Sequence, residues 1–147
     1  MEDSAPPTDC CEGHGVNACV FAKALLARAL PCALAQRRDA GERVLVECPS
    51  PPARAQCARL YALMHERARF ALRLPLPGRP LTHMQALRLQ CGGLKALQQQ
   101  LASEHADVHQ MVGAATARHG DLADLPWAPL VAALAAWQAP RRGRPRP

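Results

Sequence analysis

The sequence predicts a mainly α-helical domain, about five helices with one short β-hairpin between the first two. Hydrophobic residues make up 49% of the 147 residues and aromatics only 3%, so alanine and leucine must fill the core. Small side chains of that kind favour helices that approach closely. Helix caps and stops punctuate most of the chain, with Asn17, Ser50 and Thr82 as starts and Pro31, Gly120 and Pro140 as ends. One stretch departs from this pattern, with apolar and polar residues alternating on either side of Asp39-Ala40-Gly41.

Taken in order, residues 1–15 form an acidic arm with Pro6, Pro7, Gly13 and Gly15 and no periodic apolar face. Asn17 caps a first helix over Ala18 to Leu30, with Cys19, Ala22, Leu26 and Ala29 as its inner stripe. A three-residue loop with Gly41 last closes the hairpin, because glycine accepts the left-handed backbone there. That closure sets Arg38 opposite Glu42, Gln36 opposite Val44, Leu34 opposite Val46 and Cys32 opposite Cys48. Cys32, Leu34, Val44, Val46 and Cys48 then share one face, since side chains alternate along a strand. Ser50 caps a second helix with Pro51 at its first position, running to Phe70 with Cys57, Leu60, Tyr61, Met64 and Ala68 inward. Ala71–Leu74 either extends it or forms a short strand, and Pro75–Pro80 is a loop. Thr82 caps a third helix that breaks at Gly92-Gly93; a fourth resumes at Leu94 and ends near Ser103. A fifth covers Asp107 to His119, closed by Gly120. A last helix opens with Pro126 and Pro129 and runs through Trp137. The single helical domain therefore spans 16–139, followed by a basic tail over 140–147 that composition predicts to be disordered.

The acidic start has no apolar run behind it, so the expectation is a cytoplasmic protein. Leu130–Trp137 is too short to span a bilayer, and no membrane association is expected. The seven cysteines then read as free thiols or metal ligands, and an odd count leaves one unpaired in any disulfide scheme. Net charge is +6, with every basic residue except Lys23 and Lys95 an arginine. Arg141, Arg142, Arg144 and Arg146 in the tail suit weak, non-specific contact with nucleic-acid phosphates, without an aromatic platform for stacking bases.

Cys19, Cys32, Cys48 and Cys57 are the candidate ligands of a metal–thiolate site. None forms the Cys-x2-Cys knuckle typical of structural zinc. The long spacings and the Cys48-Pro49 step favour an iron–sulfur cluster, with zinc as the alternative. Cys19 falls in the first turn of the expected first helix, where the dipole would stabilise a thiolate. Cys91, beside Gly92-Gly93, is the alternative fourth ligand, since two glycines let backbone amides approach a sulfur. Against this stands the core reading, because free cysteine is among the most buried residue types. Cys10-Cys11 are adjacent and are left out of the site.

Glu66-Arg67-Ala68-Arg69-Phe70-Ala71-Leu72-Arg73-Leu74-Pro75 and Arg88-Leu89-Gln90-Cys91-Gly92-Gly93-Leu94, with the spaced cysteines, resemble a group of small cysteine-rich proteobacterial proteins. The resemblance implies a bacterial cytosolic protein and adds no substrate, cofactor or catalytic residue.

His105 and His109 are four apart and could share an ion on one helix, but a helix start between them would spoil that geometry, so a solvated face is expected. No hydrolase, phosphate-loop or dinucleotide fingerprint is present, and no catalytic residue is nominated. The reading is a non-enzymatic iron–sulfur protein acting in electron transfer, redox sensing or as accessory to a larger metalloenzyme, with an unidentified protein partner. The alternative is a helical interaction module with core cysteines, whose arginines meet an acidic partner or nucleic acid.

Overall fold

In the computed structural model, the described residues are 17–101 and 107–139. The acidic arm with Cys10 and Cys11, His105 and the basic tail lie outside them. The elements are α1 (Ala22–Leu26), β1 (Gln36–Ala40), β2 (Arg43–Glu47), α2 (Pro51–Leu72), α3 (His83–Leu87), α4 (Gly93–Gln100), α5 (Val108–His119) and α6 (Trp127–Ala136). A π-helical turn over Arg88–Gly92 joins α3 to α4, so the two run on as one rod. A 3-10 turn over Leu122–Asp124 leads into α6. The fold is mainly helical with one antiparallel hairpin between the first two helices, as the sequence predicts.

The hairpin register differs from the expected one. Ala40 pairs with Arg43, Arg38 with Leu45 and Gln36 with Glu47, which leaves only Gly41 and Glu42 in the turn. Gly41 has φ +67°. Glycine at the first of two central positions is what a type II′ turn requires, and its twist matches the strands. The longer loop is therefore not needed. The consequence is that Cys32 and Leu34 precede β1, and Cys32 does not face Cys48 across a strand pair. Val44 is 41% exposed, while Leu45 and Val46 are buried. Arg38 meets Glu47 diagonally at 2.9 Å on the outer surface, a pair worth little in water.

The first helix is also shorter than expected, five residues with Phe21 at its N-cap. Residues 17–19 are taken by the sheet instead: Ala18 bridges Glu47, the Cys19 amide donates to the Val46 carbonyl at 3.0 Å, and the Cys48 amide donates to the Asn17 carbonyl at 2.8 Å. Tertiary hydrogen bonds thus override the local helical tendency. At its other end Arg28 adopts φ +60°, with Arg28 N–H bonded to Leu25 O and Ala29 N–H to Ala24 O. This is the Schellman closure usually built on glycine. The same closure ends α2: Arg73 has φ +56°, Arg73 N–H donates to Phe70 O and Leu74 N–H to Arg69 O. The open question over Ala71–Leu74 resolves as two more helical residues and a stop.

Capping elsewhere follows the sequence. Ser50 Oγ accepts from Ala53 N–H behind Pro51 and Pro52, and Asp107 accepts from Gln110 N–H. Thr82 and Gln85 form a reciprocal capping box. Gly92-Gly93 does not break the rod. A Cβ on Gly93 would stand 2.5 Å from Met64 Sδ, and one on Gly92 would stand 3.2 Å from Leu134 O. The glycines therefore let the rod press against α2 and α6. Gln90, buried on the π turn, accepts from the Ala24 amide at 3.1 Å and fixes α1 to the rod. One core cluster, including Phe21, Leu60, Leu89, Leu97, Met111 and Leu134, runs through all six helices' neighbourhood. No helix among the described residues is long and apolar enough to cross a membrane.

Candidate metal centre

Cys19, Cys32, Cys48 and Cys57 line one small cavity, of about 20 Å³, whose other walls include Val20, Leu25, Leu34 and Val108. All four are free thiols. Each arrives from a different place in the fold. Cys19 and Cys48 sit side by side because the 17–19 segment pairs with the end of β2. Cys32 comes from the loop after α1, where its carbonyl accepts from Ala35 N–H at 3.2 Å. Cys57 lies about two turns into α2. The predicted cysteines are therefore on one cavity, but a loop and a sheet edge bring them there rather than a hairpin base.

Among the described residues, no three His, Cys, Asp or Glu side chains stand as a ready-made group for an ion. The protonation of the thiols accounts for this. Burial pushes the Cys57 thiol up to about 12, and negative charge on Cys19, Cys32 and Cys48 would push the same way. Cys19 rises to about 11, again through burial first, with the Phe21 backbone N–H opposing and Cys32 and Cys48 adding. Neutral sulfurs have no mutual attraction that would draw them into a ligand shell. The expected dipole-stabilised thiolate at Cys19 is not found, because α1 begins three residues later and burial outweighs the single amide bond.

As a donor set the four fit a soft metal: sulfur ligands, an apolar wall and no carboxylate in the lining. Loading would remove the thiol protons, so ion uptake should release protons and tighten as pH rises, measurable by titration calorimetry in buffers of different ionisation enthalpy. Without metal the sign reverses. A thiol raised in the folded state favours folding below its unfolded value, near 9.0, and that contribution is lost as pH climbs towards 11 and 12. Metal-free protein should therefore show a falling denaturation midpoint across that alkaline window.

Cys91 takes no part. It is 1% exposed on the π turn, packed in the core, and does not line the cavity. Burial raises its thiol, opposed by Lys95, with no contribution from the other cysteines. His65 is buried on α2, held towards its neutral form by burial and by Arg69.

Two further participants carry no signal of their own in the sequence. Arg54 also lines the cavity and clamps its edge, donating to Asn17 Oδ1 at 2.7 Å and to the Cys48 carbonyl at 2.9 Å. Its guanidinium offsets the negative charge that several thiolates would gather. Arg54→Ala should weaken metal affinity by about 10–100-fold while leaving the ligands in place, read by chelator competition. His109 is the second. Asp107 caps α5 between His105 and His109, as anticipated, and His109 is turned to the cavity rim instead.

Comparisons with protein-family models, curated proteins and solved structures return no match. The site's geometry is thus the ground for any functional reading.

Proposed function

We propose that this chain is a small cytoplasmic bacterial metal–thiolate protein whose centre is an iron–sulfur cluster held by Cys19, Cys32, Cys48 and Cys57. It would carry or sense electrons for a protein partner, or serve a larger metalloenzyme. The observation that supports this is the meeting of four cysteines, from four separate segments, on one otherwise apolar cavity. Cys91 supplies the contrast: a cysteine kept only for packing sits alone among leucines. Proline on either side, Pro31 before Cys32 and Pro49 after Cys48, removes amide donors that would compete at the ligand and stiffens the approach.

The size of the cavity favours zinc as a second reading. About 20 Å³ takes one ion-sized occupant, and a multi-iron cluster requires the sulfurs to move outward.

Protein purified without oxygen separates the readings. The iron–sulfur reading expects a brown protein with iron and acid-labile sulfide, and visible absorption that bleaches reversibly with dithionite. Zinc without iron keeps the ligands and removes the redox role. A colourless, metal-free, folded monomer overturns both and leaves a helical interaction module.

A further inference from the structure

The cavity has five soft or borderline donors around it, and they divide into two kinds. Cys19 and Cys48 are locked by backbone hydrogen bonds to the same sheet edge. Cys32 is stitched to the start of α5: Val108 N–H donates to Pro31 O at 2.9 Å, and Ala33 N–H donates to Asp107 Oδ1. These three line the cavity alone. Cys57 and His109 line the cavity and also a groove of about 380 Å³ between α2 and α5, with Ser50, Gln56 and Thr116 along its walls. The stitch that fixes Cys32 also fixes His109, two residues beyond Asp107, at the rim.

A tetrahedral ion accepts four donors. We propose that Cys19, Cys32 and Cys48 are the fixed ligands of the centre and that Cys57 and His109 form an exchangeable corner, either of which completes the set. This rests on the metal reading above. Exchange replaces a thiolate by a neutral imidazole: the departing Cys57 sulfur takes a proton from solvent, and the imidazole gives its ring-nitrogen lone pair with no proton released. The groove at this corner is then the path by which an ion reaches the cavity, since it meets the two donors that are not held by the sheet edge or the Cys32 loop.

Zinc alone is the probe, with the full chain as wild type, Cys57→Ala and Cys57→Ala/His109→Ala. X-ray absorption at the zinc edge should show four sulfurs in wild type, and three sulfurs with one nitrogen in Cys57→Ala at one zinc per chain. The double variant should bind more than about 100-fold more weakly than Cys57→Ala, beyond the loss caused by an outer-sphere partner. Far-UV circular dichroism checks that both variants fold, and Cys57→Ser replaces Cys57→Ala if the alanine variant does not. Zinc binding by wild type but not by a folded Cys57 variant overturns the corner alone. Equal affinity in the single and double variants overturns it as well. Wild type that takes up neither zinc nor iron overturns the centre itself.

Discussion

Cys48→Ser should reduce metal occupancy to less than about a tenth and remove the stability gained on loading, because ligand binding and folding are coupled. Cys48 is buried, its amide is fixed to the Asn17 carbonyl, and its thiol donates to the Ser50 carbonyl at 3.7 Å. Serine has nearly the same shape and can keep that donation, so the metal-free fold should change little. The loss then appears only in the loaded protein. At free metal about a thousandfold above Kd, loading contributes about 4 kcal/mol. For a domain of this size that is roughly 10–20 °C in Tm. Thermal melts with and without metal should differ by that amount in wild type and coincide in the variant. Cys32→Ser should behave alike, whereas Cys91→Ser should leave occupancy intact and cost packing stability only, since that side chain lies in the core and away from the cavity.

Gly93→Val should destabilise the fold by about 3 kcal/mol, the upper part of the range for overpacking a core. The rod passes so close to α2 that even a Cβ at Gly93 would lie 2.5 Å from Met64 Sδ and 2.9 Å from its Cε. Met64 is itself 2% exposed, so the two extra methyl groups of valine have no free volume to enter. Gly93→Ala should cost less, because the thioether can bend aside and alanine gains about 1 kcal/mol of helix propensity. Urea denaturation measures both. Combining Gly93→Val with Met64→Ala should recover part of the loss, and the double-mutant cycle isolates the contact. Metal occupancy should be unaffected, since neither residue lines the cysteine cavity.

Local chemistry made several elements legible in advance. Ser50, Thr82, Asp107 and Gly120 each do what their side chains or backbone freedom suit them to do, and the helices they bound stand where expected. The hairpin's existence was legible in the same way, but not its register. Gly41 can serve as the last residue of a three-residue loop or the first of a two-residue turn, and only the second is used. Helix ends were hidden where arginine, not glycine, takes the left-handed position, at Arg28 and Arg73. The shortening of the first helix was hidden because its cause lies elsewhere, in the amide and carbonyl groups at the end of β2. At Gly92-Gly93 the glycines mark a close approach between helices, which a single chain reads as a break.

The candidate site shows the same division. Spacing and flanking prolines singled out Cys19, Cys32, Cys48 and Cys57, and these four line one cavity. The route by which they meet was not legible, because it runs through the bridge of Ala18 to Glu47 and the stitch of the Cys32 loop to α5. Arg54 and His109 were not singled out for the same reason: their roles come from residues 37 and 77 positions away, Asn17 for the first and Cys32 for the second.

Native mass spectrometry of the chain purified without oxygen tests the central claim most directly. The account predicts an intact mass exceeding that of the bare chain by bound iron and sulfide, with the excess absent from Cys48→Ser. An excess of one zinc ion keeps the four ligands and replaces the cluster. A folded wild type at the mass of the bare chain, after growth with ample iron and zinc, would contradict the account.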